Sequence, residues 1–319
     1  MSQQDERDLF GPRRLSDALP KMKPLSRVKQ RLIESAVQIE AEDPDSITYQ
    51  HTVFCQTGLP YRDPGSEVRE WEREQGTASL LIEAGKAKDP ESGKWIELGL
   101  PFGPKPRLIL CYLNAQALKT GSSVIEVEDS LTAFVKRLGL VSKGRNMHII
   151  KTQLGCLSAA TIRLAVTRGP RAFQIDTKVV GAFDLWFPKD QRQRVLWPST
   201  VRLSLDYFES LKRHAVPLDE RAVAALSHSA MGLDVYAWLA QRLHRVEVGH
   251  PAFISWSAIK EQFGHQYARM DNFKRVFRHT LDMVLTQYRS ARIELDGRGM
   301  TLRNSPPPIK GRVVLVHRG

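Results

Sequence analysis

Cysteine is scarce in this sequence: Cys55, Cys111 and Cys156 are the only three. An odd number of widely separated thiols excludes a disulfide framework, and no CxxC pair is present to clip a structural zinc. Each reads as an ordinary free thiol. Long apolar runs are missing too. The longest, Leu108 to Leu113 and Val235 to Ala240, are six residues each, far below the roughly 20 needed to cross a bilayer. Met1 to Phe10 is polar and charged, without the apolar stretch of a secretory leader. A soluble protein of the cytoplasm, not bound to a membrane, is therefore expected.

Catalytic signatures are absent as well. Gly85-Lys86 and Gly93-Lys94 are followed by Ala87 and Trp95, so neither completes a phosphate-cradling G-x-x-x-x-G-K-[ST] loop. No H-E-x-x-H and no His-x-His pair supplies the ligands of a metallohydrolase or rolling-circle nuclease. A tyrosine recombinase would need a His-x-x-Arg ahead of a nucleophile such as Tyr288, and there is none. The expectation is a binding protein with no enzymatic activity, no cofactor and no metal.

What the sequence does have is positive charge: 47 Lys and Arg against 35 Asp and Glu over 319 residues, a net +12. The excess is clustered. From Ser130 to Ile175 there are eight basic residues (Lys136, Arg137, Lys143, Arg145, Lys151, Arg163, Arg168, Arg171) and no acidic one. A second stretch, Lys260 to Arg292, has seven basic and three acidic residues. The first 31 residues are basic as well. A solvated surface ordinarily mixes signs, so these stretches point to a polyanion, with nucleic acid foremost.

Periodicity organises the chain. Residues 1–23 carry no sustained apolar period and read as a basic arm. A helix follows from Pro24 to about Glu42, with Val28, Leu32, Ser35, Ala36 and Ile39 on one face. Short strands are expected at His51–Gln56, Ala78–Glu83 and Lys94–Leu98, separated by Gly/Pro turns. Then comes a helix over Arg107–Lys119 and a strand at Val124–Val127. A helix capped by Asp129 and stopped by Gly139 follows, then a helix with Met147, Ile150, Leu154 and Leu157 inward. Strands at Ala159–Val166 and Phe173–Phe187 flank a turn at Arg168-Gly169-Pro170-Arg171. The order recurs about 125 residues later. It runs through a helix over Ala230–Val246, a strand at Phe253–Trp256, a short helix stopped by Gly264, a helix from Asp271, and a hairpin across Asp296-Gly297-Arg298-Gly299. Helix, strand, two helices and a hairpin is the order of a winged helix. The fold class expected is thus α+β: tandem winged-helix domains at 76–204 and 205–310, preceded by a basic arm and helix over 1–75 and followed by a basic tail over 311–319.

A winged helix sets its second helix into the major groove, with the apolar stripe inward and long polar side chains outward. In the first unit the outward residues are Arg145, His148 and Thr152, flanked by Lys143 and Lys151. In the second they are Asn272, Arg275, His279 and Asp282, with Lys274 and Arg278 beside them. Arginine forks onto guanine and asparagine onto adenine, whereas lysine more often anchors phosphate. The hairpin tips, Arg168/Arg171 and Arg298, are placed as wings that touch the backbone or minor groove. Gly155 interrupts the first recognition helix. Base reading is accordingly expected from the second, with Trp197-Pro198 and the other tryptophans as packing residues.

Five ordered blocks then carry a resemblance. They are Leu100-Pro101-Phe102-Gly103 with Pro106-Arg107-Leu108, Asp129-Ser130-Leu131 through Leu138-Gly139-Leu140, Val216-Pro217-Leu218-Asp219, Leu233-Asp234-Val235-Tyr236-Ala237-Trp238-Leu239, and Ile254-Ser255-Trp256 with Gln262-Phe263-Gly264. The chain resembles the RepA-type plasmid replication initiators of bacteria from about Ala78 to Pro308. The resemblance implies two winged-helix domains that bind repeated origin sites (iterons) on double-stranded DNA. It also implies recruitment of the host initiator and replicative helicase, a homodimeric state, and association with the plasmid in the bacterial cytoplasm. A winged-helix transcriptional repressor is the alternative, with a recombinase or nickase behind it.

Overall fold

The computed structural model describes residues 26–88, 92–128, 130–168, 171–177, 180–183 and 200–309. The basic arm over 1–23, the tail over 311–319, Trp197-Pro198, Asp129 and the Gly169-Pro170 turn lie outside these residues. Helix α1 (Arg27–Ala41) begins where the Ser26 side chain accepts from the Lys29 amide, and it buries Leu32 and Ser35. Strand β1 (Ile47–His51) and helix α2 (Thr52–Gln56) follow. Here the structure corrects the expectation of a strand at His51–Gln56. His51 Nδ1 accepts from the Val53 amide at 3.2 Å and turns the chain into a helix whose first four residues are all buried. A short apolar run buried all round has no alternation by which strand and helix could be told apart.

Strands β2 (Glu70–Gln75) and β3 (Ala78–Glu83) form an antiparallel pair, with Ala78, Leu80 and Ile82 turned into the core and Glu70, Glu72 and Glu74 outward. Strands β4 (Lys86–Lys88) and β5 (Trp95–Glu97) make a separate two-stranded ribbon. Helix α3 (Pro104–Thr120), strand β6 (Val124–Glu126), helix α4 (Leu131–Arg137) and helix α5 (Gly144–Ala159) come in the expected order. Ser130, not Asp129, caps α4, accepting from the Ala133 amide at 3.1 Å. Gly139 ends the turn at φ 70°, a conformation that favours glycine.

The next segment departs from expectation. Strands β7 (Thr161–Arg168) and β8 (Arg171–Thr177) form a hairpin, but they extend β2 and β3 into a four-stranded sheet of order β2-β3-β7-β8. The expected strand at Phe173–Phe187 is thereby divided. Its latter part, β9 (Val180–Phe183), pairs with β10 (Thr200–Leu203), and β10 pairs with β6. The first unit therefore closes its sheet as β6-β10-β9, and β7–β8 is inserted ahead of it.

Helix α6 (Leu205–His214), strand β11 (Ala215–Asp219) and helix α7 (Glu220–Ala225) lead into the second unit. Strand β11 pairs with β1, tying an early segment to the middle of the chain. The second unit is helix α8 (Ala230–Arg242), a 3-10 turn at Leu243–Arg245, strand β12 (Ala252–Ser255), helix α9 (Trp256–Phe263), helix α10 (Met270–Gln287) and strands β13 (Ile293–Leu295) and β14 (Gly299–Leu302). Its sheet has order β12-β14-β13. In both units, then, the first strand pairs with the last and the last with the one before it.

The chain is thus α+β, and its buried apolar side chains form one continuous core through both units. Helices α3 and α8 are buried on nearly every side. They are joined by a two-pronged ion pair, Arg107 Nε to Asp234 Oδ1 at 2.6 Å and Nη2 to Oδ2 at 2.7 Å. The guanidinium also donates to the carbonyls of Leu59 and Gly103, at 2.7 Å each. Burial pushes the Asp234 carboxyl up in pKa against the pull of that guanidinium. Cys55, Cys111 and Cys156 are all buried free thiols, and burial raises Cys111 to about 12 and Cys156 to about 11. Among the described residues no helix is long and apolar enough to cross a membrane, and no acid, thiol and imidazole cluster is placed to hold a metal.

Candidate nucleic-acid interface

Helix α10 divides cleanly. Phe273, Phe277, Thr280, Leu281 and Val284 are buried, while Asn272, Arg275, Arg278 and His279 are exposed and Lys274 is half-buried. The exposed groups are not independent. Arg275 Nη2 donates to Asn272 Oδ1 at 2.9 Å, so the two residues predicted to read bases hold each other. At the helix N-terminus Arg269 forks onto Asp271, with Nε to Oδ1 at 3.0 Å and Nη2 to Oδ2 at 2.6 Å. That bond holds the Asp271 carboxyl below the usual carboxylate range, so its charge is offset beside Arg275.

The hairpin between β13 and β14 is fastened to this helix pair. The Trp256 backbone amide donates to Arg298 O at 3.1 Å and its indole Nε1 to Asp296 O at 3.0 Å. Lys274 Nζ lies 3.5 Å from Gly297 O. Within the turn, Asp296 Oδ1 accepts from the Arg298 and Gly299 amides at 2.7 and 2.8 Å, which lowers its pKa. Arg298 is exposed at the tip, with its guanidinium 3.4 Å from Asp296 and over the Phe253 ring.

Helix α5 has the same division. Lys143, Arg145, His148 and Thr152 are exposed, Lys151 is half-buried, and Ile150, Leu154 and Leu157 face the core. The Thr152 hydroxyl turns back onto His148 O at 3.0 Å. Gly155 does not break the helix, which continues to Ala159. The backbones of Arg168 and Arg171 pair in register at the end of the β7–β8 hairpin. That hairpin, however, belongs to the four-stranded sheet and not to the sheet of β6, so it is not the hairpin expected to complete the first unit's sheet. The strand that returns to β6 is β10, with β9 on its other side, and the segment between β9 and β10 lies outside the described residues.

Tertiary structure also offsets part of the acid-free stretch. Arg137 pairs with Glu220 at 2.8 Å, and Arg163 pairs with Glu83. Both acids come from outside the 130–175 window. Among the described residues, Lys143 and Arg145 on the exposed face of α5 form no salt bridge. The residues that the sequence did not single out are Trp256 and Asp296. Each sits within a stretch already marked, Ser255-Trp256 in a resembling block and Asp296-Gly297 as a turn, but their joining role exists only in three dimensions.

Residues 100–258 match the model of the family described as plasmid-encoded RepA protein. The chain is similar to the plasmid-encoded RepA proteins. The RepA match takes in α3, β6, α4, α5 and α8 and ends at the start of α9, so α10 and its hairpin lie beyond it. Among solved structures, domains 2 and 3 of RctB are similar, with 9% identity, 79% of this chain and 98% of that chain covered, and a TM-score of 0.48. A second RctB structure, of residues 155–483, has 9% identity, covers 83% and 94%, and has a TM-score of 0.42. No curated protein matches in sequence.

Proposed function

We propose that this protein is a plasmid replication initiator that binds repeated origin sites on duplex DNA and recruits host replication proteins, acting by binding and without catalysis. The observation that carries the reading is the RepA match over 100–258. The exposed polar faces of α5 and α10 supply the physical support. A helix, a strand, two helices and a strand pair that returns to the first strand is the order of a winged helix. The second unit follows that order, and the first follows it once the inserted β7–β8 is set aside, with sheets β12-β14-β13 and β6-β10-β9. In that arrangement α5 and α10 are the helices that enter the major groove, and the Asp296–Gly299 turn is the second unit's wing. The net +12 supplies the non-specific attraction on which base reading is superimposed.

A marker plasmid carrying this gene and its flanking repeats tests the role. Replication in a host that cannot maintain the marker alone is the expected result. Repression of the adjacent promoter without replication would leave a repressor. Reproducible nicking of the supercoiled plasmid by purified protein would overturn the binding-only reading.

A further inference from the structure

Resting on the reading of α10 as a DNA-reading helix, we propose that Lys274 and Arg278 form a clamp for a DNA backbone phosphate beside the wing, and that Trp256 is the positioning residue that holds them. Trp256 opens α9 and is only 3% exposed. Its indole packs edge-on against Phe273 and Phe277, with ring centroids at 6.5 and 5.9 Å and planes at 83° and 90°. Two cations also lie over the ring, Lys274 Nζ at 5.1 Å and Arg278 Cζ at 5.2 Å from the centroid.

Two cations one helical turn apart repel each other. An indole face attracts both, because the ring quadrupole presents negative charge to them. Several cations nearby are offset by carboxylates: Arg269 by Asp271, Arg298 by Asp296, Arg303 by Glu294 and Arg289 by Glu40, while Arg275 is held by the neutral Asn272 amide. Among the described residues neither Lys274 nor Arg278 forms a salt bridge, although Asp282 lies one turn beyond Arg278. They are cations held in place and not neutralised.

The same indole fastens the wing. Its Nε1 donates to Asp296 O, and the Trp256 amide donates to Arg298 O. Lys274 and Arg278 thus lie between the recognition helix and the wing turn, where a phosphodiester would pass if α10 entered the groove. A cation already immobilised on a ring loses less freedom on meeting a phosphate than a free lysine does. Trp256 touches no phosphate itself; it acts through the pair.

Binding to a mixed-sequence duplex of about 30 base pairs, titrated across salt concentrations, tests the clamp, because phosphate contacts are independent of sequence. Lys274→Met/Arg278→Met should weaken binding and lower the salt slope by about two, one for each cation removed from the backbone. Lys274→Arg should retain the slope. Trp256→Phe, with folding checked by circular dichroism and Trp256→Tyr as a second variant, should weaken the wild type by roughly five-fold. In the double-Met background it should change affinity by less than about two-fold, since residues acting as one unit are not additive. An unchanged slope in the double-Met protein overturns the clamp. Equal weakening by Trp256→Phe in both backgrounds leaves a merely structural tryptophan. A wild type without salt-dependent binding removes the DNA-binding reading itself, and the clamp with it.

Discussion

At the scale of the single residue, Arg275 is where the proposed base reading is most directly tested. It is exposed on α10, and its guanidinium is held by Asn272, which fixes its direction. Arg275→Ala should lower affinity for the plasmid's own repeat by about 1–3 kcal/mol and leave binding to a scrambled duplex nearly intact. Asn272→Ala should reproduce part of that loss, because it frees the guanidinium to wander. Lys143→Ala, on the exposed start of α5, should weaken all duplexes alike and lower the salt slope by about one. Titrations on both duplexes at several salt concentrations separate these outcomes. Equal weakening of both duplexes by Arg275→Ala would remove base reading from α10.

The element that matters most is the α9–α10 pair with its hairpin. Gly264 ends α9, and a Cβ there would lie 2.7 Å from the Phe273 ring and 2.7 Å from Lys260 Cγ. Its φ is −114°, an ordinary value, so the requirement is for space and not for backbone conformation. Gly264→Ala should cost about 1–3 kcal/mol in urea unfolding, the usual size of core overpacking. Gly297→Ala, where no atom lies within 4 Å of the added carbon, should cost less than about 0.5 kcal/mol. At the hairpin tip, Asp296→Asn keeps an oxygen to accept from the Arg298 and Gly299 amides but removes the negative charge beside Arg298. It should tighten non-specific duplex binding a few-fold and steepen the salt slope by up to about one. Unaltered binding would mean that the tip does not approach the phosphates.

At the scale of the whole molecule, the segment ahead of the first unit meets the second unit through polar contacts that are incompletely satisfied. Arg73 on β2 donates to the Glu261 and Gln262 carbonyls at the end of α9. His265, in the turn before α10, packs against Tyr61 and Trp71, and neither ring nitrogen has a hydrogen-bond partner among the described residues. Burial, aided by Arg73 and Arg107, lowers its pKa to about 4. Burial, aided by His214, lowers that of His51 to about 3. Both values lie below the unfolded value of about 6.5. Between these limits the unfolded chain binds more protons than the folded one. Stability is therefore fully present above about pH 6.5 and falls as pH drops toward 4. His265→Phe removes two unpaired buried nitrogens and one of the two titrations. It should stabilise the fold by about 1 kcal/mol near pH 7. At about pH 5 the gain should grow by about a further 1 kcal/mol, allowing for the ring's partial contact with solvent. Urea unfolding at the two pH values measures both, and a gain that did not grow on acidification would contradict the pKa assignment.

Local patterning was sufficient for the long helices. The stripes of α1, α5 and α10 and the stop at Gly264 are legible in the sequence, because a helix buries one face at a fixed period and glycine marks its end; α3 and α8, buried on nearly every side, are legible from their apolar runs instead. The outward placement of Arg145, His148, Arg275 and Arg278 follows from that same period. Whatever depends on contacts distant in the chain was not legible. The pairing of β1 with β11 and the capture of β7–β8 by β3 are choices between strands of similar local character, settled by which edge is open when the helices pack. The offsetting of Arg137 by Glu220 and of Arg163 by Glu83 likewise joins residues 83 and 80 positions apart, which no window of composition can see. Trp256 is the clearest case: its aromatic bulk is plain from the letter, but its place under two cations and against the β13–β14 hairpin exists only once α9, α10 and the hairpin have packed together.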